Sequence, residues 1–97
     1  MEILEPKIYW QAIEAFGENS QYDMLIEEMA ELTQSILKSK RRNKFISSSE
    51  NLHEEFVDVK IVMAQIELCL DHEKLKFWKN EKLIRLNTLI INHNERI

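Results

Sequence analysis

Two acidic clusters carry the densest chemistry in the chain: Glu27, Glu28 and Glu31 in EEMAE, then, after a 23-residue spacer, Glu55 and Asp58 in EFVD. On helices, residues three apart share a face one turn along, so Glu28 stands beside Glu31 and Glu55 beside Asp58. If those helices are neighbours, four carboxylates converge. Like charges that close repel unless a cation sits among them, and hard carboxylate oxygens favour Mg²⁺, with Mn²⁺ as an alternative. The pattern therefore asks for a metal held by Glu28, Glu31, Glu55 and Asp58.

The elements that must position these acids follow from composition and periodicity. Of 97 residues, 44% are hydrophobic and 31% charged, with one Gly and one Pro. That mix suits an all-α chain, since β folds need many turn residues and disordered chains lack the apolar content. Pro6 fits a first helical turn, and Ile8, Tyr9, Ala12, Ile13 and Phe16 form an apolar stripe that Gly17 stops. Ser20 is expected to cap a second helix running to about Ser39, with Tyr22, Leu25, Ile26, Met29, Leu32, Thr33, Ile36 and Leu37 as its core face. The stretch from Ser39 to Ser49 reads as a loop. Ser48 or Ser49 caps a third helix from about Glu50 to Leu70, and Asp71 caps a fourth through Leu75, Trp78, Leu83, Leu86 and Ile90. No repeat or boundary breaks residues 1–97, so a single domain is expected.

The third helix holds an anomaly. At 100° per residue, Glu55 points between Leu52, Val59, Val62 and Ile66, and Asp58 falls near Val62 and Cys69. An unpaired buried carboxylate is costly, so acids on an apolar face need a cation or a proton. On the second helix Glu28 borders the apolar stripe and Glu31 turns further away, a pattern that a solvated acidic face also produces. From Val59 to Leu70 the third helix is apolar around most of its circumference. Four short helices supply too few contacts for it, and a homodimer or homotetramer with this helix near the interface is expected.

Bulk properties remove several function classes. A net charge of −4 and a pI near 5.4 argue against a protein that neutralises many phosphates of a nucleic-acid polymer. Basic residues are uneven, with Lys38, Lys40, Arg41, Arg42 and Lys44 mid-chain and Lys74, Lys76, Lys79, Lys82 and Arg85 later, which leaves small phosphorylated ligands open. The single Cys69 has no intrachain partner and reads as an inert buried thiol. With neither a signal-peptide pattern nor a membrane span in the sequence, a cytoplasmic, membrane-free protein is expected.

The order EExxE, spacer, ExxD, together with the flanking AFGENSQYDMLIEEMAELTQSILKSKRR and NLHEEFVDVKIVMAQIELCL, resembles the MazG-like family of all-α nucleoside triphosphate pyrophosphohydrolases over roughly residues 12 to 90. The resemblance implies a four-helix fold completed by oligomerisation, and hydrolysis of a nucleoside triphosphate to a monophosphate and pyrophosphate. It implies Mg²⁺ on Glu28, Glu31, Glu55 and Asp58, with Glu27 binding a further metal or orienting the attacking water. Catalytic roles are thus expected of Glu27 and Glu28.

Lys79, Lys82 and Arg85 follow a three-residue step that can present them together to phosphates, and KLIRL resembles the basic end of family members. Trp10, Phe16 and Tyr22 are candidate platforms for a base, although core packing also explains an aromatic residue on an apolar stripe. Asn80 could add an amide. Glu50 and His53 form one ExxH, where a di-iron bundle needs two copies. The rival expectation is a non-catalytic helical interaction module whose acids serve interface salt bridges.

Overall fold

The computed structural model describes residues 4–42 and 45–96. Asn43 and Lys44, the latter part of the basic run, lie outside the described residues. Four helices follow in order, α1 (Glu5–Phe16), α2 (Glu18–Arg41), α3 (Glu50–Glu67) and α4 (His72–Glu95), with a 3-10 turn at Ile46–Ser48 before α3. There is no strand among the described residues.

Local signals set the helix ends. Pro6 occupies the first turn of α1, where its missing N–H loses no bond. Gly17 takes φ +86°, a conformation open mainly to glycine, and by itself turns the chain from α1 into α2. The second helix therefore begins at Glu18, two residues before the expected Ser20 cap, and runs past Ser39 to Arg41. Ser49 is the cap of α3, accepting from Leu52 N at 3.2 Å, whereas Ser48 Oγ donates to Phe45 O at 2.8 Å. Asp71 caps α4 through the N–H groups of Glu73 and Lys74.

Helices α2 and α3 form an antiparallel pair, with α1 packed against both. The small core lies on α3, where Val59, Val62 and Ile66 are the buried hydrophobic residues among those described. The face of α2 that meets α3 keeps Leu25 and Leu32 of the expected one and departs from it elsewhere. Gln21 and Ser35 are buried, and Leu25, Glu28, Leu32 and Ser39 are half-buried along the same line, while Ile26, Met29, Thr33, Ile36 and Leu37 are exposed. A repeating three- and four-residue step joins Gln21, Leu25, Glu28, Leu32, Ser35 and Ser39 into one seam. The most apolar stripe of α2 is thus turned away from α3.

Helix α4 makes no extensive packing against the other three, and Leu75, near the end of α3, is its half-buried residue. Its Phe77, Trp78, Leu83, Ile84, Leu86, Leu89, Ile90 and Ile91 stand exposed. The radius of gyration is 17.2 Å, against about 12.5 Å for a compact domain of this length. Within the chain, α1, α2 and α3 build the bundle and α4 extends from it.

Candidate metal centre

The seam between α2 and α3 is registered by the buried pair Gln21 and Gln65, whose side-chain amides hydrogen-bond, Nε2 of the first donating to Oε1 of the second. Moving inward from that pair along both helices brings Glu28 level with Asp58, Glu31 level with Glu55, and Ser35 level with Asn51. Glu28, Glu31 and Glu55 each place one carboxylate oxygen within 4.8 Å of the others. Two helices thus deliver three acids to one point.

Glu28 and Glu55 are half-buried, and Oε2 of each is enclosed with no hydrogen-bond partner. Glu31 is exposed and closes the solvent side. Burial raises the pKa of Glu28 above the ordinary glutamate value, and the charges of Glu31, Asp58 and Glu55 and a hydrogen bond to Glu31 add to it. Burial likewise raises that of Glu55, with Glu31, Asp58 and Glu54 contributing. The position of Glu55 follows from α3, where it shares a face with Leu52, Val59, Val62 and Ile66.

The other expected site residues are placed differently. Asp58 is exposed instead of facing the apolar sector; it stands outside the three-oxygen cluster but close enough to act on the protonation of Glu28 and Glu55. Glu27 is exposed and also outside the cluster. Lys79, Lys82 and Arg85 are exposed on α4, which does not pack on the α2–α3 seam. Lys82 Nζ lies 5.8 Å from the Trp78 ring centroid, a cation–π contact within α4. Trp10 on α1 is exposed, as is Phe16, and Tyr22 is half-buried.

Comparison with protein-family models, with curated proteins and with solved structures found no match. The chemistry of the site therefore rests on the residues themselves. His53 Nδ1 lies 2.6 Å from Ser49 O, and His72 Nε2 lies 3.2 Å from Glu67 O, so both rings engage helix ends. Cys69 is half-buried with Sγ 3.9 Å from Gln65 O, and burial, ahead of Glu18, pushes its thiol pKa up. Such a thiol is a poor nucleophile.

Gln21, Gln65 and Ser35, which all lie on the seam, are not among the expected site residues. The three- and four-residue step that links Glu28 to Ser35, and Glu55 to Gln65 through Val62, is the signal that could have found them.

Proposed function

We propose that the chain is a Mg²⁺-dependent nucleoside triphosphate pyrophosphohydrolase of the MazG-like kind, cleaving between the α and β phosphates to leave a monophosphate and pyrophosphate. The observation that carries this reading is the convergence of Glu28, Glu31 and Glu55 from two helices, with Oε2 of Glu28 and of Glu55 enclosed and unpartnered. Hard oxygen donors that are costly to leave unpaired fit a small divalent cation. When bound, Mg²⁺ or Mn²⁺ supplies Lewis-acid polarisation and charge offset for the phosphates.

Glu28, Glu31 and Glu55 hold the ion, and Asp58 adds negative charge beside them. Glu27 is assigned to orienting the attacking water at the exposed edge. Lys79, Lys82, Arg85 and Trp10 are assigned to the phosphates and the base. Because α4 stands clear of the seam of its own chain, its cations serve the site of a second copy in a homodimer or homotetramer.

Surface area supports assembly. The chain exposes 8542 Å², whereas a compact monomer of 11.7 kDa exposes about 5,900 Å². The excess is well above the roughly 800 Å² per partner of a standard interface. No helix among the described residues is long and apolar enough to cross a membrane. Action on the cytoplasmic nucleotide pool is part of the proposal.

The deciding experiment combines thermal unfolding with product analysis. Mn²⁺ or Mg²⁺ should raise the melting temperature, Glu55→Gln should remove that gain, and a panel of triphosphates should yield pyrophosphate. Release of orthophosphate alone counts against attack at the α phosphorus. The exposed apolar surface of α4 also suits a non-catalytic interaction module, which indifference to metal and to triphosphates would select.

A further inference from the structure

One helical turn past the carboxylates, the α2–α3 seam opens into a cavity of about 490 Å³. Ser35, four residues beyond Glu31, and Asn51, four residues before Glu55, form its near wall, about 6 Å along the helix axes from the acids. The cavity and the carboxylate cluster are consecutive stretches of one groove.

The chemistry of the cavity is opposite to that of the cluster. Lys38 and Arg42 line it, and among the described lining residues there is no carboxylate. Four serine hydroxyls and the Asn51 amide add hydrogen-bonding groups. The floor is the start of α3. Its cap uses Leu52 N, so the N–H groups of Glu50 and Asn51 are left by the intrahelical pattern at the positive end of the helix dipole.

Ser35 points independently to a ligand. It is only 3% exposed, yet its Oγ has no hydrogen-bond partner, and it lines this cavity. A helical serine with nothing else to do ordinarily bonds to the carbonyl one turn back, and no such bond forms here. Buried polar atoms left without a partner call for a missing group.

We propose that this cavity seats the two terminal phosphates of the nucleoside triphosphate, with Lys38 and Arg42 as the chain's own cations for the tail and Ser35 Oγ as a buried donor. This rests on the pyrophosphohydrolase reading and assigns the leaving group of that reaction. The fragment held there is pyrophosphate. It is flanked on one side by the acids that hold the metal and on the other by cations that offset its charge. The cations of α4 are then free to serve the α phosphate or the nucleoside.

The test uses inorganic pyrophosphate with the full chain, by calorimetry in metal-free buffer. Wild type should bind it with an affinity that falls as salt rises. The Lys38→Ala, Arg42→Ala double variant should bind at least tenfold more weakly, and Ser35→Ala should weaken binding measurably. Lys38 and Arg42 are exposed, so helicity by circular dichroism should be unchanged in the double variant. Lys60→Ala, which removes an exposed α3 lysine outside the cavity lining, should leave pyrophosphate binding as in wild type. Glu55→Gln, which removes a nearby negative charge, should keep pyrophosphate binding while losing stabilisation by Mn²⁺.

Undetectable binding to wild type, or equal binding by the Lys38 and Arg42 double variant, overturns the assignment. The two proposals fail separately. If α-phosphorus cleavage holds but pyrophosphate ignores Lys38 and Arg42, only the cavity assignment falls. If orthophosphate is the sole product while these variants still lose pyrophosphate, the hydrolase reading falls and the cavity stands as an oxyanion site.

Discussion

Gln21 and Gln65 hydrogen-bond to each other across the α2–α3 seam at 5% and 6% exposure, and every functional pairing along the seam follows from their register. Seven residues inward on each helix stand Glu28 and Asp58, and ten inward stand Glu31 and Glu55. Replacing Gln65 by Met strands the Gln21 amide in a buried site and should cost about 1–3 kcal/mol. Exchanging both glutamines for Met removes both polar groups and should recover most of that loss. Urea denaturation at fixed chain concentration checks both outcomes, and a double variant no more stable than the single would contradict the pairing.

The response to metal should be graded by position. Glu28→Gln and Glu55→Gln each alter a carboxylate whose second oxygen is enclosed, and Glu31→Gln alters the third member of the cluster. Each should abolish most of the stabilisation by Mn²⁺. For wild type at a metal concentration of about 100 Kd, that stabilisation is about 2.7 kcal/mol, or roughly 10–20 °C in Tm. Asp58→Asn should reduce the gain partially and Glu27→Gln should leave it intact, because both residues are exposed and outside the cluster. A Glu27→Gln variant that loses the whole gain would move the ion away from the seam.

Local signals made part of this legible. Ser49 and Asp71 announce helix starts by side-chain chemistry that acts within three residues, and Glu55 is fixed on its face by its neighbours Leu52, Val59 and Val62. The face of α2 was legible only in part, at Leu25 and Leu32. Periodicity reports how much apolar surface a helix carries, not which neighbour covers it, and here the seam with α3 takes Gln21, Glu28 and Ser35 while Ile26 and Met29 stay outside. The seam's step marks the position of Ser35, but that its Oγ is buried without a partner follows from tertiary packing, which periodicity does not report.

Protonation gives a test that needs no substrate. Glu28 and Glu55 hold protons more tightly in the folded chain than at the ordinary glutamate value of 4.5. Between that value and their raised folded values the folded state binds more protons than the unfolded state. Metal-free stability from these two groups is therefore fully present below about pH 4.5, falls as pH rises through their folded pKa values, and is flat above them. Glu28→Gln and Glu55→Gln should each remove part of this decline, measured as the difference from wild type across a pH series. Mn²⁺ competes with the protons, so its stabilisation should grow over the same window. A wild-type profile identical to that of both variants would contradict the crowding of charge at the seam.

Helix α4 makes the strongest demand for a partner. At 100° per residue, Leu75, Trp78, Leu83, Leu86, Leu89 and Ile90 form one broad stripe, interrupted by Lys79 and Lys82 in its N-terminal half, and Phe77, Ile84 and Ile91 form a second one about 170° around the axis. Asn80, Asn87 and Asn94 separate them on one side and Glu81, Arg85 and Asn92 on the other. A helix apolar on two opposite sides is stable in water only between two layers, and α1, α2 and α3 of the same chain provide neither. Charge favours a second copy as the cover, since α4 carries five Lys and Arg against three Glu, while α1, α2 and α3 together carry twelve acids and five bases. Sedimentation should find the wild-type chain larger than a monomer at micromolar concentration. Leu86→Glu with Ile90→Glu, on the broad stripe, should dissociate it furthest, and Ile84→Glu, on the narrow one, should stop at a smaller assembly. A wild-type chain that sediments as a monomer with α4 still helical would leave both stripes without an occupant and refute the assembly.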